Sequence, residues 1–355
     1  MKKLIILQTA APHYRKGIYS YLNLELGDYF KLYSGKSYFE KSITTDKTIS
    51  FIKPVKNFYF FNRRLLFQMG MWHQVFKKNT MVLEMNPRII SNWLILIIRR
   101  LLLKKTVLWG HAWPRNGKKS KTDLVRHFMR LLGNEIIVYT QTQANELKQK
   151  MPKKKITAAP NALYLKKNML YNEDNRLITN LIYVGRLSKA KKAFFLVKAF
   201  HEALSEIPNT CHLIIVGEGE EKIDIENYII KNNLKERISL KGHISDLKTL
   251  EKLYATSLFS ISPGYVGLSI TQSFSFGTPM IISREENHSP EIEAALKGVN
   301  ALFFETNSKA SFKETLKCAF QQKLSWINKR QEICQFCKNT YSTEAMAKTF
   351  LNVIK

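Results

Sequence analysis

At 355 residues, 45% of them hydrophobic, the chain is too long for one ordinary core and suits two, and with no low-complexity tract or fixed-period repeat it reads as globular throughout. Its charge is lopsided: residues 1–170 hold 32 Lys and Arg against 8 Asp and Glu, whereas residues 171–355 hold 24 against 20. A generally Lys-rich composition would not spare the second half, so the first half is expected to meet a polyanion, either nucleic acid or an anionic membrane surface.

In chain order, the basic start "MKKLIIL" carries an apolar run only from Leu4 to Leu7, too short for a signal peptide, and a cytoplasmic location is expected. The run reads as a strand. The loop after it, "TAAPHYRKG", offers His13 and Arg15 to an acceptor phosphate. A second strand, "MVLEM", brings up Glu84, a lone acid in a basic half that is either an acceptor-hydroxyl contact or a salt-bridge partner. In "NWLILIIRRLLLKK", residues 92–105, Arg99 and Arg100 interrupt the apolar run well short of the roughly 20 residues of a membrane span. It reads as a helix covering a sheet, with basic flanks that can also snorkel at an interface. The strand "TVLWG" leads to "WGHAW", whose His111 lies past the strand end. After "EIIVY", the stretch 152–180 with Pro152 and Pro160 reads as a linker region.

Six further strand-length runs follow: "LIYVG", "HLIIVG", "RISL", "LFSIS", "PMIIS" and "ALFF". Continuous apolar strands separated by helices predict parallel sheets covered on both faces, hence an α/β protein of two doubly wound, Rossmann-like domains. The expected boundaries are 1–165, 178–335, and a C-terminal helix over 336–355 that packs back toward the N-terminal domain.

Ligands of such sheets sit beyond the carboxyl ends of the strands. The loop "GRLSKAKK" sets Gly185 at a tight strand exit and offers Arg186 and Lys191, a fork and a point charge suited to a diphosphate. In "GEGEE", Gly217 and Gly219 let backbone approach a ligand, without the dinucleotide spacing GxGxxG. The stretch "SPGYVGLSITQSFSFGTPMI", residues 262–281, has no charged residue. It reads as a strand end, a loop with Gly264 and Gly267, and a helix from Leu268 closed by Gly277 and Pro279. Small Ser269, Thr271 and Ser273 would leave room for a sugar and offer neutral hydrogen bonds. Cys334 and Cys337 form a CxxC, but no second Cys or His pair stands at zinc spacing, so neither a metal nor a redox role is expected.

In these segments the chain resembles the family 4 glycosyltransferases. The frame "GYVGLSITQSFSFGTP" matches the family pattern at Gly267, Leu268, Gly277 and Pro279, and departs from it at both acidic positions, which are Gly264 and Gln272 here. "YVGRLSKAKK", "PNAL" at 160–163 and "SPEIEAALKGVNALFFE" lie in register with it. The resemblance implies the GT-B fold, with a cleft between its two domains. It also implies a hexosyltransferase that retains configuration and uses a nucleoside-diphosphate sugar. Arg186 and Lys191 would bind the diphosphate and stabilise the leaving group, Gln272 would take the ribose, and Gly264 would leave the sugar's polar edge to other groups. His111 would position the sugar or act electrostatically. No D-x-D motif is present, so no metal and no cofactor are expected. The acceptor would be a lipid-linked glycan for surface polysaccharide, reached from the inner face of the membrane. Two rival readings are a catalytically silent sugar-nucleotide-binding module, because both acids are replaced, and a nucleic-acid binder, for which no recognition motif is present and which is not expected.

Overall fold

The computed structural model describes residues 2–114, 117–171 and 178–355. The chain divides into two compact units, residues 1–163 with 342–355, and residues 164–341. Of the expected linker, residues 172–177 lie outside the described residues.

In the first unit the strands are β1 (Lys3–Gln8), β2 (Phe30–Ser34), β3 (Lys53–Pro54), β4 (Lys56–Phe60), β5 (Leu65–Met69), β6 (Asn79–Glu84), β7 (Thr106–Trp109), β8 (Glu135–Val138) and β9 (Lys155–Ala158). Its helices include α1 (Lys16–Leu26), α2 (Ile90–Leu101), α3 (Asp123–Leu132) and α4 (Gln141–Lys150). Among the described residues, seven strands form a parallel sheet in the order β3-β2-β1-β6-β7-β8-β9, and β4 pairs with β5 as a separate antiparallel hairpin. The sheet is buried on both faces: Leu4 and Ile6 pack under α1, Ile5 and Leu7 toward α2 and α4.

The second unit carries β10 (Asn180–Val184), β11 (Leu213–Val216), β12 (Ile238–Leu240), β13 (Ser257–Ser262), β14 (Met280–Ser283) and β15 (Ala301–Phe304). Its helices are α5 (Ala193–Glu202), α6 (Lys222–Lys231), α7 (Leu247–Ala255), α8 (Ser269–Ser275), α9 (Lys309–Gln321), α10 (Lys323–Asn328) and α11 (Arg330–Tyr341). Among the described residues its sheet is six-stranded and parallel, ordered β12-β11-β10-β13-β14-β15.

All ten strands read from apolar runs are present. Missing from that reading were β2, β3, the hairpin and β9: β3 and β9 are the edge strands of the first sheet, the hairpin lies outside it, and Lys31 interrupts the apolar run of β2. The start of the expected linker is therefore the last strand of the first sheet. The helix expected over 336–355 is two helices. α11 belongs to the second unit, and α12 (Thr343–Asn352), capped by the Ser342 hydroxyl on Ala345 N, belongs to the first. There Phe350 meets Trp109 edge-on at 4.9 Å.

Two buried arginines lock the helices that flank the sites. Arg99 of α2 donates to Thr106 Oγ1 (2.9 Å) and to the carbonyls of Val75 (3.0 Å), Asn79 (2.7 Å) and Lys105 (2.7 Å). That accounts for its place inside an apolar segment. Arg330 donates to the carbonyls of Ser257 (2.8 Å), Tyr254 (3.0 Å) and Phe276 (3.3 Å). Gly277, at φ +68°, closes the turn after α8, and a Cβ there would fall 2.6 Å from the Arg330 carbonyl oxygen. Cys334 and Cys337 pack inward, their thiols donating to the Ser275 and Thr271 carbonyls at 3.3 and 3.4 Å, and burial pushes the Cys337 thiol up to about 12. They are packing residues. Among the described residues no helix is long and apolar enough to cross a membrane.

Candidate active site

A doubly wound sheet opens a crevice at the carboxyl ends of the two neighbouring strands where chain order reverses. In the second unit that pair is β10 and β13. The loop after β10 brings Arg186 and Lys191, and the loop after β13 brings Tyr265 between them. Lys191 Nζ donates to the Tyr265 carbonyl at 2.8 Å and stands 3.5 Å from the centre of its ring, and the Arg186 guanidinium donates to the Tyr265 hydroxyl at 3.4 Å. The two cations paired by sequence thus converge on one residue. Burial, then the neighbouring Arg186 charge, lowers Lys191 to about 8, with Glu291 opposing.

Backbone contacts hold this arrangement. Leu187 N donates to Glu218 O (2.9 Å) and Glu221 N to Leu187 O (3.0 Å), tying the two glycine loops together. Gly217 lies so close to Gly185 that a Cβ would fall 2.9 Å from the Gly185 carbonyl carbon. Gly264 is equally constrained: a Cβ would lie 2.8 Å from the Lys191 carbonyl carbon and 2.9 Å from its Cα. A side chain at 264 would therefore meet the Lys191 backbone at close approach. Gly267 is roomier, and its Cβ position would lie 3.8 Å from Lys191 Nζ.

His288 was not singled out by sequence. Its Nδ1 accepts from Val266 N at 2.9 Å and its Nε2 donates to Ser283 O at 3.0 Å, which fixes a neutral tautomer that holds the Tyr265 loop. No spacing rule marks such a residue, because it acts across the fold. Lys192 is another: at φ +57° it turns away from Lys191 and reaches Glu286 Oε1 (2.5 Å) and Asn307 Oδ1 (2.7 Å).

Helix α8 sorts the remaining candidates. Leu268, Ser269 and Gln272 are half-buried on its open side, and Gln272 Nε2 donates to the Tyr164 hydroxyl at 2.8 Å. Thr271 and Ser273 are buried. Thr271 donates to Leu268 O (3.0 Å) and Ser273 to Thr278 O (2.6 Å), so their hydroxyls serve the helix and the following turn instead of facing a ligand.

In the first unit, order reverses between β1 and β6. The Glu84 carboxylate accepts from Thr9 N; burial raises its pKa, while the Thr9 amide and Arg15 oppose. Arg15 departs from expectation. Its guanidinium turns inward, donating to Gln8 Oε1 and the Tyr139 hydroxyl, both at 2.7 Å, and lies 4.4 Å from the centre of the Trp109 ring. Those partners occupy the fork that was expected to meet an acceptor phosphate. His13, two residues earlier, is exposed and pairs with Asp46 at 2.7 Å, so the two basic residues diverge.

His111 stands at the exit of β7, its exposed ring edge-on to Tyr139 at 4.7 Å instead of packed between Trp109 and Trp113. The protein crowded around it, then Arg126 and Arg15, lowers it to about 4. The shift favours the neutral imidazole. Arg126, also unmarked by sequence, donates to the carbonyls of Met85 (2.6 Å) and His111 (3.2 Å), joining the loops that follow β6 and β7. Among the described residues no group of three His, Cys, Asp or Glu side chains could hold a metal ion.

Residues 172–338 match the family model of glycosyl transferases, group 1. The match covers 167 of the 355 residues. The matched segment contains the Arg186, Lys191 and Tyr265 cluster. Over 104 residues the chain is 33% identical to the GtfA subunit of a UDP-N-acetylglucosamine–peptide N-acetylglucosaminyltransferase from Streptococcus pneumoniae, a match covering 29% of this chain. The chain spans only 20% of that relative's length. Two solved structures are similar across nearly the whole chain. Anabaena Alr3699/HepE in complex with UDP and glucose has a TM-score of 0.68 at 11% identity, and the lipopolysaccharide outer core galactosyltransferase WaaB in its apo form 0.68 at 14%; each match covers 99% of both chains. At those identities the likeness shows the fold, which is GT-B.

Proposed function

We propose that the chain is a retaining glycosyltransferase that moves a sugar from a nucleoside-diphosphate sugar to a lipid-linked glycan, in surface polysaccharide synthesis on the cytoplasmic face of the membrane. The observation that carries this is the convergence of Arg186 and Lys191 at the order reversal of the group 1 segment. As the sugar departs, negative charge grows on the diphosphate, and preorganised cations stabilise that charge more than the ground state. A guanidinium and an ammonium supply this charge where other enzymes use a metal. Gln272 with Tyr164 serves the ribose, and neutral His111 hydrogen-bonds the donor sugar. Glu84 orders the loop after β1 on the acceptor side. The HepE structure with UDP and glucose, and the lipopolysaccharide in the name of WaaB, support the donor and acceptor classes.

Thermal unfolding with UDP, GDP, ADP and CMP tests the donor site. A nucleotide at a hundred times its Kd adds about 2.7 kcal/mol, a shift of several degrees, to whichever protein binds it. No shift with any of them, or the same shift in Arg186→Ala, counts against the reading. The alternative favoured by Gly264 and Gln272, a binding module without turnover, predicts the shift but no transfer.

Donor KM is expected to rise about tenfold between pH 7 and pH 9, since a Lys191 pKa of about 8 takes the ammonium from about nine-tenths to one-tenth charged. Lys191→Arg flattens the rise. A flat wild-type profile would remove Lys191 from the diphosphate site.

A further inference from the structure

Two neighbouring helices of the first unit carry apolar side chains on the face turned away from the core. α2 buries Ile95, Leu96 and Arg99, yet Leu94, Ile97 and Leu101, three and four residues apart, are exposed on its other side. α3 packs beside α2 and repeats the pattern, with Met129 and Arg130 inward and Leu124, Phe128 and Leu131 outward. The exposure is large: 78% for Leu101, 62% for Leu124, 55% for Phe128 and 94% for Leu103, just past the end of α2. Leu103 has φ +52°, a left-handed backbone that a leucine adopts only at a cost, and its side chain gains no packing there in return.

The surroundings of this face are basic. Arg100 is exposed on α2, Lys104 follows that helix, exposed Lys119 and Lys121 precede α3, and from residue 87 to residue 132 the sequence contains a single acid, Asp123. That acid is already bound by Arg130 and by Lys150, the latter at 2.6 Å. At the amino ends of β1 and β6, Lys2, Lys3, Lys31, Lys77 and Lys78 line a hollow of about 440 Å³ that adds to the positive field. An apolar face ringed by cations matches a surface whose apolar interior is bordered by phosphates.

We propose that the outer face of α2 and α3 seats on an anionic lipid bilayer, with Leu101, Leu103, Leu124 and Phe128 among the acyl chains and the rim cations at the phosphate level. This rests on the membrane reading above and names the surface responsible.

Vesicle sedimentation tests it without donor or acceptor. Vesicles of phosphatidylglycerol mixed with phosphatidylcholine are expected to capture the wild-type chain, and pure phosphatidylcholine is not. Leu101→Ser with Leu103→Ser, and separately Leu124→Ser with Phe128→Ser, should each weaken capture at least about tenfold with unchanged Tm, because these side chains support no core. Neutralising Lys119 and Lys121 should weaken it about fivefold per charge, less at high salt. Equal capture by neutral vesicles, or undiminished capture of both leucine variants, overturns the proposal. So does a self-associated form that dissociates when Leu124 and Phe128 are replaced, since a second copy would then be the occupant. Wild-type capture that ignores these residues sinks this face but leaves the membrane reading. Nucleotide-induced stabilisation tests the transferase reading independently of both.

Discussion

Arg186→Ala is expected to lower kcat/KM by at least about a hundredfold, most of it in kcat, with Tm nearly unchanged. Removing one preorganised donor to a developing charge costs about 2.7–4 kcal/mol in the transition state. The loss falls in kcat because the bond from sugar to diphosphate is still intact in the ground state, where less charge needs support. The fold should tolerate the change: the side chain is exposed and reaches Tyr265 only at the long end of hydrogen-bond distance, 3.4 Å. Arg186→Lys should recover part of the rate, since it restores charge but not the fork. Steady-state kinetics beside a melting curve separates the possibilities. A variant with wild-type kcat would mean that Arg186 is ordinary solvated surface, and the proposed function would lose its main support.

Placing a glutamate at position 264, where the family that the sequence resembles carries one, should damage the protein. In Gly264→Glu the first side-chain carbon would already crowd the Lys191 main chain at 2.8 and 2.9 Å, and backbone cannot yield as a flexible side-chain tip can. Overpacking of this kind costs about 1–3 kcal/mol, and Gly264→Ala should show most of that loss in Tm. The carboxylate adds a second effect. Placed beside Lys191 and Arg186, it would pair with the cations proposed for the diphosphate, so nucleotide affinity should fall at least about tenfold more in Gly264→Glu than in Gly264→Ala. Calorimetric titration with the stabilising nucleotide measures this. A glutamate variant that is stable and binds more tightly would show that the loop after β13 can rebuild itself, and that the glycine reflects drift instead of a close approach.

Much of the architecture could be read in advance because it depends on local pattern. Ten strands announce themselves as apolar runs, most of them central and buried on both faces, and the glycines at several exits mark where backbone must turn tightly or approach closely. Of the strands that escaped notice, β9 lies at a sheet edge, the β4–β5 hairpin lies outside the main sheets, and Lys31 interrupts the short apolar run of β2. The break at Ser342 is equally quiet: a serine inside a helical pattern becomes a cap only once α12 has a different surface to cover.

Residue types and their order along the chain determined two parallel-sheet units, the loops at which chemistry is possible, the Arg186 and Lys191 pair, and the basic first half. The direction in which each side chain points was decided by the tertiary structure. Arg15 and Arg186 both follow strand ends, yet one is drawn inward by Gln8, Tyr139 and Trp109, and the other stays outside beside Tyr265. Thr271 and Gln272 are adjacent on one helix, and the first is spent on the helix itself. His288 and Arg126 came to light only through partners far away in sequence. The physical reason is common to all of these. Local pattern reports which groups are apolar and where the chain turns, whereas the partner that satisfies a buried polar group is supplied by segments that meet only on folding.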